Sequence, residues 1–279
     1  MMKLSMRTLI ATAWISACVI SGAVNADAAG KTELTWFGHA AFQIKTPSGK
    51  VLLVDPWITN PANAAGKEQL AKIDQADLIL VTHGHSDHVG NSVEIAKKTG
   101  AKLVATFDLG RALKQVAGYP AEQAGMQTMG NFGGKLDLLD GEVQIAFVPA
   151  IHSSGVAAPE GSADKENHYG GNPGGFVITV KNGPAFYHTG DTDVFGDMSL
   201  IPQHHKIDVM LACIGGHFTM GPERAAEAVK LIKPAQVVPM HFGTFPILAG
   251  KPSELEAALK ARKLGAKVHA LKVGETIQL

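Results

Sequence analysis

The string Thr82-His83-Gly84-His85-Ser86-Asp87-His88 constrains this chain more than any other stretch. It follows a mostly apolar run at residues 77–82, of buried-strand type, and precedes a helical pattern at about 91–98. His, His, Asp and His therefore stand at i, i+2, i+4 and i+5 on a strand-to-helix connection. A loop at a strand's end turns several such side chains toward one point. Imidazole and carboxylate are the ligands that Zn²⁺ and related divalent cations accept, so the spacing predicts a metal site built on a β/α unit. The competing reading is a solvated histidine-rich loop.

The rest of the chain has the same style of short elements. Strands are predicted at 33–37, 41–45 and 50–54, the last two joined by the turn Pro47-Ser48-Gly49. A strand at 102–105, a helix at 109–116 and strands at 135–138 and 142–148 follow. Residues 153–174 are rich in Gly, Ala, Ser and Pro and read as a long surface loop. A hairpin at 175–181 and 184–188 then turns on Asn182-Gly183. A strand at 208–214, a helix at 222–232, a strand at 236–240 and a helix at 254–262, with Ser253 as N-cap, come next, and short strands close the chain. Each half passes from a β meander to β/α units. That pattern predicts one α/β domain with two sheets inside and helices outside, and 46% hydrophobic residues are ample for its core.

The N-terminus differs from this body. Lys3 and Arg7 precede an apolar run at 9–24, and Ala26-Asp27-Ala28 has the small-x-small form of a cleavage site. The expectation is a signal peptide over 1–28, a mature domain over 29–279, and export to the periplasm or medium. A lipoprotein signal at Cys18 and a membrane anchor are the alternatives; no positively charged stop-transfer segment follows the apolar run. Of the two cysteines, Cys18 leaves with the signal, so Cys213 has no partner for a disulfide. Removing Lys3, Arg7 and Asp27 leaves 23 basic and 24 acidic residues. Nothing in that balance suggests nucleic acid as a partner, because phosphate neutralisation needs a basic excess.

Further strings in order resemble the metallo-β-lactamase superfamily. The histidine loop looks like its signature. Val54-Asp55-Pro56-Trp57, Ala150-Ile151-His152-Ser153-Ser154, His188-Thr189-Gly190-Asp191-Thr192-Asp193 and Pro239-Met240-His241-Phe242-Gly243-Thr244 match its other motifs. The resemblance implies a four-layer αββα sandwich of two mixed sheets. It assigns His83, His85 and His152 to one cation, Asp87, His88 and His241 to a second, and Asp191 as a bridge. Two divalent metals, Zn first with Mn or Fe as alternatives, would share a hydroxide for hydrolysis. Asp55 is expected to orient the histidine loop rather than bind metal. Trp36-Phe37-Gly38-His39-Ala40-Ala41-Phe42, Gly215-Gly216-His217-Phe218-Thr219-Met220 and Met240-His241-Phe242-Gly243-Thr244-Phe245-Pro246 resemble an uncharacterised group of metal-dependent hydrolases similar to the L-ascorbate-6-phosphate lactonase.

The expected function is hydrolysis of a small ester, lactone or phosphoester, with a small-molecule substrate as partner, no nucleic acid, and no stable membrane insertion once the signal is cleaved. Alternatives are a non-catalytic metal sensor, a β-lactamase or a phosphodiesterase. Asp87 and His217 are the candidate catalytic residues, His217 as proton donor or substrate contact. His39 either lines the site or is structural, and His188 supports the site or the core. His168 and Tyr169, on the long loop, are candidate substrate contacts, while His204, His205 and His269 read as surface or structural. N-terminal sequencing of protein from its native host should begin at about Ala29. Retention of Met1 in a soluble cytoplasmic fraction refutes export, and lipid on Cys18 selects the lipoprotein form.

Overall fold

The computed structural model describes residues 31–279, so the expected signal over 1–28 lies outside the described residues. The first half opens as an antiparallel meander of β1 (Glu33–Trp36), β2 (Phe42–Lys45) and β3 (Val51–Val54). β4 (Leu78–Leu80), β5 (Lys102–Thr106) and β6 (Met129–Gly130) then add in parallel. The second half repeats the order. β7 (Lys135–Leu138) and β8 (Val143–Pro149) start it, and a separate ribbon of β9 (Gly155–Ala157) and β10 (Asn167–Tyr169) intervenes. β11 (Gly174–Val180) and β12 (Ala185–His188) complete the antiparallel part. β13 (Val209–Cys213), β14 (Gln236–Met240) and β15 (Lys267–Val268) continue in parallel. β16 (Thr276–Gln278) returns to the first sheet beside β1, so each sheet has seven strands.

Helices α1 (Gly66–Ala71), α2 (Ser86–Val89), α3 (Ser92–Thr99), α4 (Phe107–Gln115), α5 (Ile201–His204), α6 (Pro222–Ile232) and α7 (Pro252–Ala261) lie in the connections. Side-chain alternation explains the layers, because successive residues of a strand face opposite sides. Leu52, Val54, Leu78 and Leu80 join Phe147, Phe176 and Ile178 in the core between the sheets. Their neighbours Leu53, Ile79 and Val81 pack outward on Ile95, Leu109 and Leu113 of α3 and α4. Beyond the second sheet, Val229 of α6 and Leu255 and Leu259 of α7 are buried. Covered on both faces, the parallel strands are apolar at nearly every position. The result is the four-layer αββα sandwich, with both sheets mixed.

Three sequence expectations need correction. The stretch 153–174 is not all surface loop, since it forms the β9–β10 ribbon and buries Val156. Strands of three residues separated by Gly, Ser and Pro are too short to show a period. α1, α2 and α5 escaped for the same reason, at four to six residues. α7 starts at Pro252 and its N-cap is Lys251, not Ser253. Pro252 supplies the helical φ at the first position, and the Glu254 carboxylate accepts the Lys251 backbone N–H at 3.0 Å.

Close backbone approach fixes the histidine loop in this frame. A Cβ on Gly84 would stand 2.7 Å from Val156 Cγ2 and 2.9 Å from the Gly155 carbonyl oxygen. Gly90, which ends α2 at φ 42 and ψ −122, presses on Trp57, where a Cβ would lie 2.6 Å from the Trp57 Cβ. Both the dihedral and the contact require glycine. Gly90→Ala is expected to destabilise the fold by about 2–4 kcal/mol, as for other strained backbone sites, measured by denaturant unfolding. A loss below about 0.5 kcal/mol, the usual size for a surface substitution, contradicts the tight seat described for α2.

Candidate metal centre

Every predicted ligand sits just past the C-terminal end of a strand. His83, His85, Asp87 and His88 follow β4, His152 follows β8, Asp191 follows β12 and His241 follows β14. Parallel register makes this a single rim: Val54 is level with Leu80, and Cys213 with Met240. Cross-links hold the loops together. Ile151 N donates to Thr192 Oγ1 at 3.0 Å, His241 N to the His39 carbonyl at 2.9 Å, and Gly174 N to the Thr82 carbonyl at 3.2 Å. Ser154 Oγ accepts from Gly84 N at 3.1 Å and donates to the Gly170 carbonyl at 2.9 Å, tying the ribbon to the histidine loop.

All seven side chains converge. Their ligand atoms form overlapping groups in which atoms lie within 4.8 Å of one another: His83, His85 and His152; His83, His88 and Asp191; and His39, Asp87, His88 and His241. Asp191 stands between them, with Oδ2 3.0 Å from His241 Nε2 and 3.6 Å from His152 Nε2, and Oδ1 3.2 Å from His88 Nε2. These approaches are not aligned as hydrogen bonds. His88 Nε2, Asp191 Oδ1 and both ring nitrogens of His241 are buried with no hydrogen-bond partner. Orphaned buried polar atoms are costly, and a lone pair aimed at a cation is satisfied by it. The donor set therefore fits divalent metal.

Asp55 prepares two of these imidazoles. Its buried carboxylate accepts Thr82 N at 2.8 Å, Thr82 Oγ1 at 2.7 Å and His88 Nδ1 at 2.7 Å. Having donated to Asp55, the Thr82 hydroxyl accepts His83 Nδ1–H at 3.1 Å. Both rings thus carry a proton on Nδ1, which leaves Nε2 as the ring atom turned to the cluster.

As with His168 and His217, the sequence leaves the role of His39 open. Fully buried, it donates from Nε2 to Asp87 Oδ2 at 3.0 Å and accepts at Nδ1 from Thr244 Oγ1 at 2.9 Å. Its place in the string Trp36–Phe42 was the available signal. His39, Asp55 and His241 all have left-handed φ, at 52, 44 and 56°. That conformation costs energy in non-glycine residues and persists only where surrounding bonds impose it.

The electrostatics divide the ligands. Burial pushes His83, His85 and His152 down, so this group is three neutral imidazoles. Burial also lowers His39, to about 4, so it is neutral beside Asp87. Burial opposes charge on Asp191 too, yet His88 and His241 hold it well below the usual carboxylate range. Against burial, Asp191 and Asp55 raise His88, and Asp191 raises His241 to about 9. Burial would raise Asp87, but His88, His241 and His39 outweigh it and keep the carboxylate ionised.

The other candidates are placed differently. His217 is exposed, its ring edge-on to Phe218, and is not among the residues lining the cavity over the cluster. Phe218 lines that cavity, with His85, Asp87, His152, Ser153, Asp191 and His241. His188 is buried, donating from Nε2 to the Ala40 carbonyl at 3.0 Å and accepting Gly190 N at 3.1 Å, which ties the two sheets beneath Asp191. His168 pairs with Asp164 at 2.7 Å on the ribbon, and Tyr169 beside it is exposed. Neither lines the cavity. His269 bonds Gln236 at 2.7 Å, and His204 and His205 lie near α5, away from the centre.

Residues 33–241 match the family described as the Beta-lactamase superfamily domain. The chain belongs to the metallo-β-lactamase superfamily. Over 250 residues it is 57% identical to a UPF0173 metal-dependent hydrolase of Thermodesulfovibrio yellowstonii, covering 90% of this chain and 93% of that one. A UPF0173 metal-dependent hydrolase of Polynucleobacter asymbioticus is 40% identical over 277 residues, with 97% and 95% covered. Among solved structures, the metallo hydrolase Igni18 of Ignicoccus hospitalis superposes with TM-score 0.75 at 37% identity, over 89% of this chain and 98% of that one. The chain is thus a member of the superfamily's metal-dependent hydrolases.

Asp55→Asn keeps the shape of the hub but sets an amide donor or a weaker acceptor against donors. Metal affinity is expected to fall about 10–100-fold with the fold retained, the usual cost of removing an outer partner of a ligating histidine. Metal titration with circular dichroism checks this, and wild-type affinity would show that Asp55 does not orient His83 and His88.

Proposed function

We propose that this metallo-β-lactamase-superfamily hydrolase cleaves a small ester, lactone or phosphoester at a centre of two divalent cations. The observation that carries the reading is the Asp191 carboxylate, set within 3.6 Å of ligand nitrogens from both groups. His83, His85 and His152 would hold one cation, and Asp87, His88 and His241 the other. Zn²⁺ suits the mixed imidazole and carboxylate donors, as do Mn²⁺ and Fe²⁺. Bound there, such a pair supplies Lewis acidity and water acidified toward neutral pH.

The chain's own residues do the remaining work. His39 and Thr244 hold Asp87 as an oriented anion, so Asp87 serves as a ligand and not as a proton donor near neutral pH. Ser153 Oγ, 3.4 Å from His85 Nε2, is a polar contact at the cavity wall. The cavity of about 310 Å³ admits a small molecule's reacting group. The complete ligand set favours catalysis over metal sensing. Residues 3–28 have the form of a signal peptide, so the hydrolase would act outside the cytoplasm.

Asp191→Ala is expected to lose bound metal and to lower hydrolysis at least ~10²-fold, as removal of metal-activated water implies. His217→Ala should keep its metal and lose less than about tenfold, below the usual range for a general acid. Elemental analysis and rates on p-nitrophenyl acetate, a γ-lactone and bis-p-nitrophenyl phosphate read both effects. No more than one metal per chain at saturation refutes the dinuclear centre. Metal loss from His217→Ala would place His217 among the ligands.

A further inference from the structure

Four of the seven large hydrophobic side chains exposed among the described residues sit on the loops after β8, β13 and β14, which also carry the cavity-lining residues His152, Phe218 and His241. Ile151 is 56% exposed, Phe218 60%, Phe245 40% and Ile247 48%. Single exposed hydrophobics are ordinary on a protein surface, but a concentration of them on the loops that build a polar site is not. Phe218 belongs to the cavity wall itself, and Ile151 immediately precedes the ligand His152. The Phe245 ring lies 6.4 Å from the His39 ring and 6.1 Å from Trp57, which meets His39 edge-on at 5.3 Å. An aromatic wall therefore runs from the imidazole beneath Asp87 out to solvent. The loops bearing Phe218 and Ile247 are joined by the bridge between Gly216 and Leu248, so the two sides are held in fixed relation.

Charge gives the second constraint. Among the described residues, no Lys or Arg lines the cavity. Arg224 is held by both carboxylate oxygens of Asp193, which leaves its guanidinium committed. Sites for phosphorylated or carboxylated bodies recruit Arg, Lys or a helix N-terminus. Among the described residues that line this cavity, cationic character is confined to the histidine cluster itself, where the reacting group goes.

We infer that the site takes a substrate whose hydrolysable group is joined to an uncharged apolar body, seated against Phe218, Phe245, Ile247, Ile151 and Trp57. This rests on the hydrolase reading above. An anionic or phosphorylated body would be set against aromatic and aliphatic surface with no countercharge, at the cost of its own hydration. An apolar body instead removes that surface from water.

Hydroxamates, which chelate metal through one end, separate the two parts of the site. Acetohydroxamate, octanohydroxamate and suberic monohydroxamate would be titrated by calorimetry into metal-loaded protein. Octanohydroxamate is expected to bind at least about 30-fold tighter than acetohydroxamate, given up to about fourfold per buried methylene. Suberic monohydroxamate, of similar length but charged at its far end, should lose at least about tenfold of that gain. Phe218→Ala and Ile247→Ala, both exposed positions with little role in folding, should weaken octanohydroxamate at least about fivefold more than acetohydroxamate. Equal affinity for the short and long apolar probes overturns the inference, as does preference for the charged tail or failure of every probe on metal-loaded protein. Absence of tail gain, together with sedimentation on phosphatidylcholine vesicles that Phe218→Ala abolishes, reassigns the rim to a membrane surface. A chain that takes up no metal and hydrolyses nothing refutes the underlying hydrolase reading instead.

Discussion

The buried carboxylate of Asp55 is the interaction on which the centre depends. It takes three hydrogen bonds, from the Thr82 backbone, the Thr82 hydroxyl and His88, and through the hydroxyl it reaches His83. One anion therefore sets the tautomer of an imidazole in each ligand group. It also joins the end of β3 to the end of β4, the two strands where the antiparallel meander gives way to parallel pairing. Asp55 itself adopts left-handed φ, and the bonds that saturate its carboxylate offset that cost.

From that hub the fold supplies a rim rather than a pocket in the core. Four strands of two sheets end at one edge, and each adds one to four polar side chains there. The apolar interior between the sheets keeps the strands rigid, while the loops that carry ligands are laced to one another by backbone bonds. Preorganisation of this kind places charged and neutral donors close together before any cation arrives. The cost appears in the two ligand groups differently: burial leaves three imidazoles neutral, while Asp191 and Asp55 hold protons on His88 and raise His241. A cation bound by His88 and His241 would take the place of those protons.

Beside this polar centre Phe218 lines the cavity and Phe245 stands against Trp57, the two phenylalanines on loops tied by the Gly216–Leu248 bridge. A reacting group that meets metal ligands and a body that meets Phe218 and Phe245 are different recognition problems. The chain solves them with different parts of the same loops: His241 and Phe245 are four residues apart, as are His217 and Gly221 on a segment that contributes only Phe218 to the wall.

The seven ligand-type side chains that converge, their order and the αββα layering were legible in the sequence. Ligand type and spacing are local properties, and alternation in fully covered strands is written as unbroken apolar runs such as Val51–Val54. The ribbon within 153–174 was not legible, because strands of three residues carry no period and are stabilised by contacts with Gly84 and α4 from elsewhere. The role of His39 was not legible either, since its partners Asp87 and Thr244 lie 48 and 205 residues away. His217 and Phe218 show the same limit at closest range. Both follow β13 on one glycine-led turn, yet the backbone direction of that turn places the phenyl ring in the cavity wall and leaves the imidazole outside it. The sequence by itself determined which atoms could bind metal; only the tertiary structure decided which neighbours orient them and what surface the substrate meets, because those depend on chain crossings that no local pattern encodes.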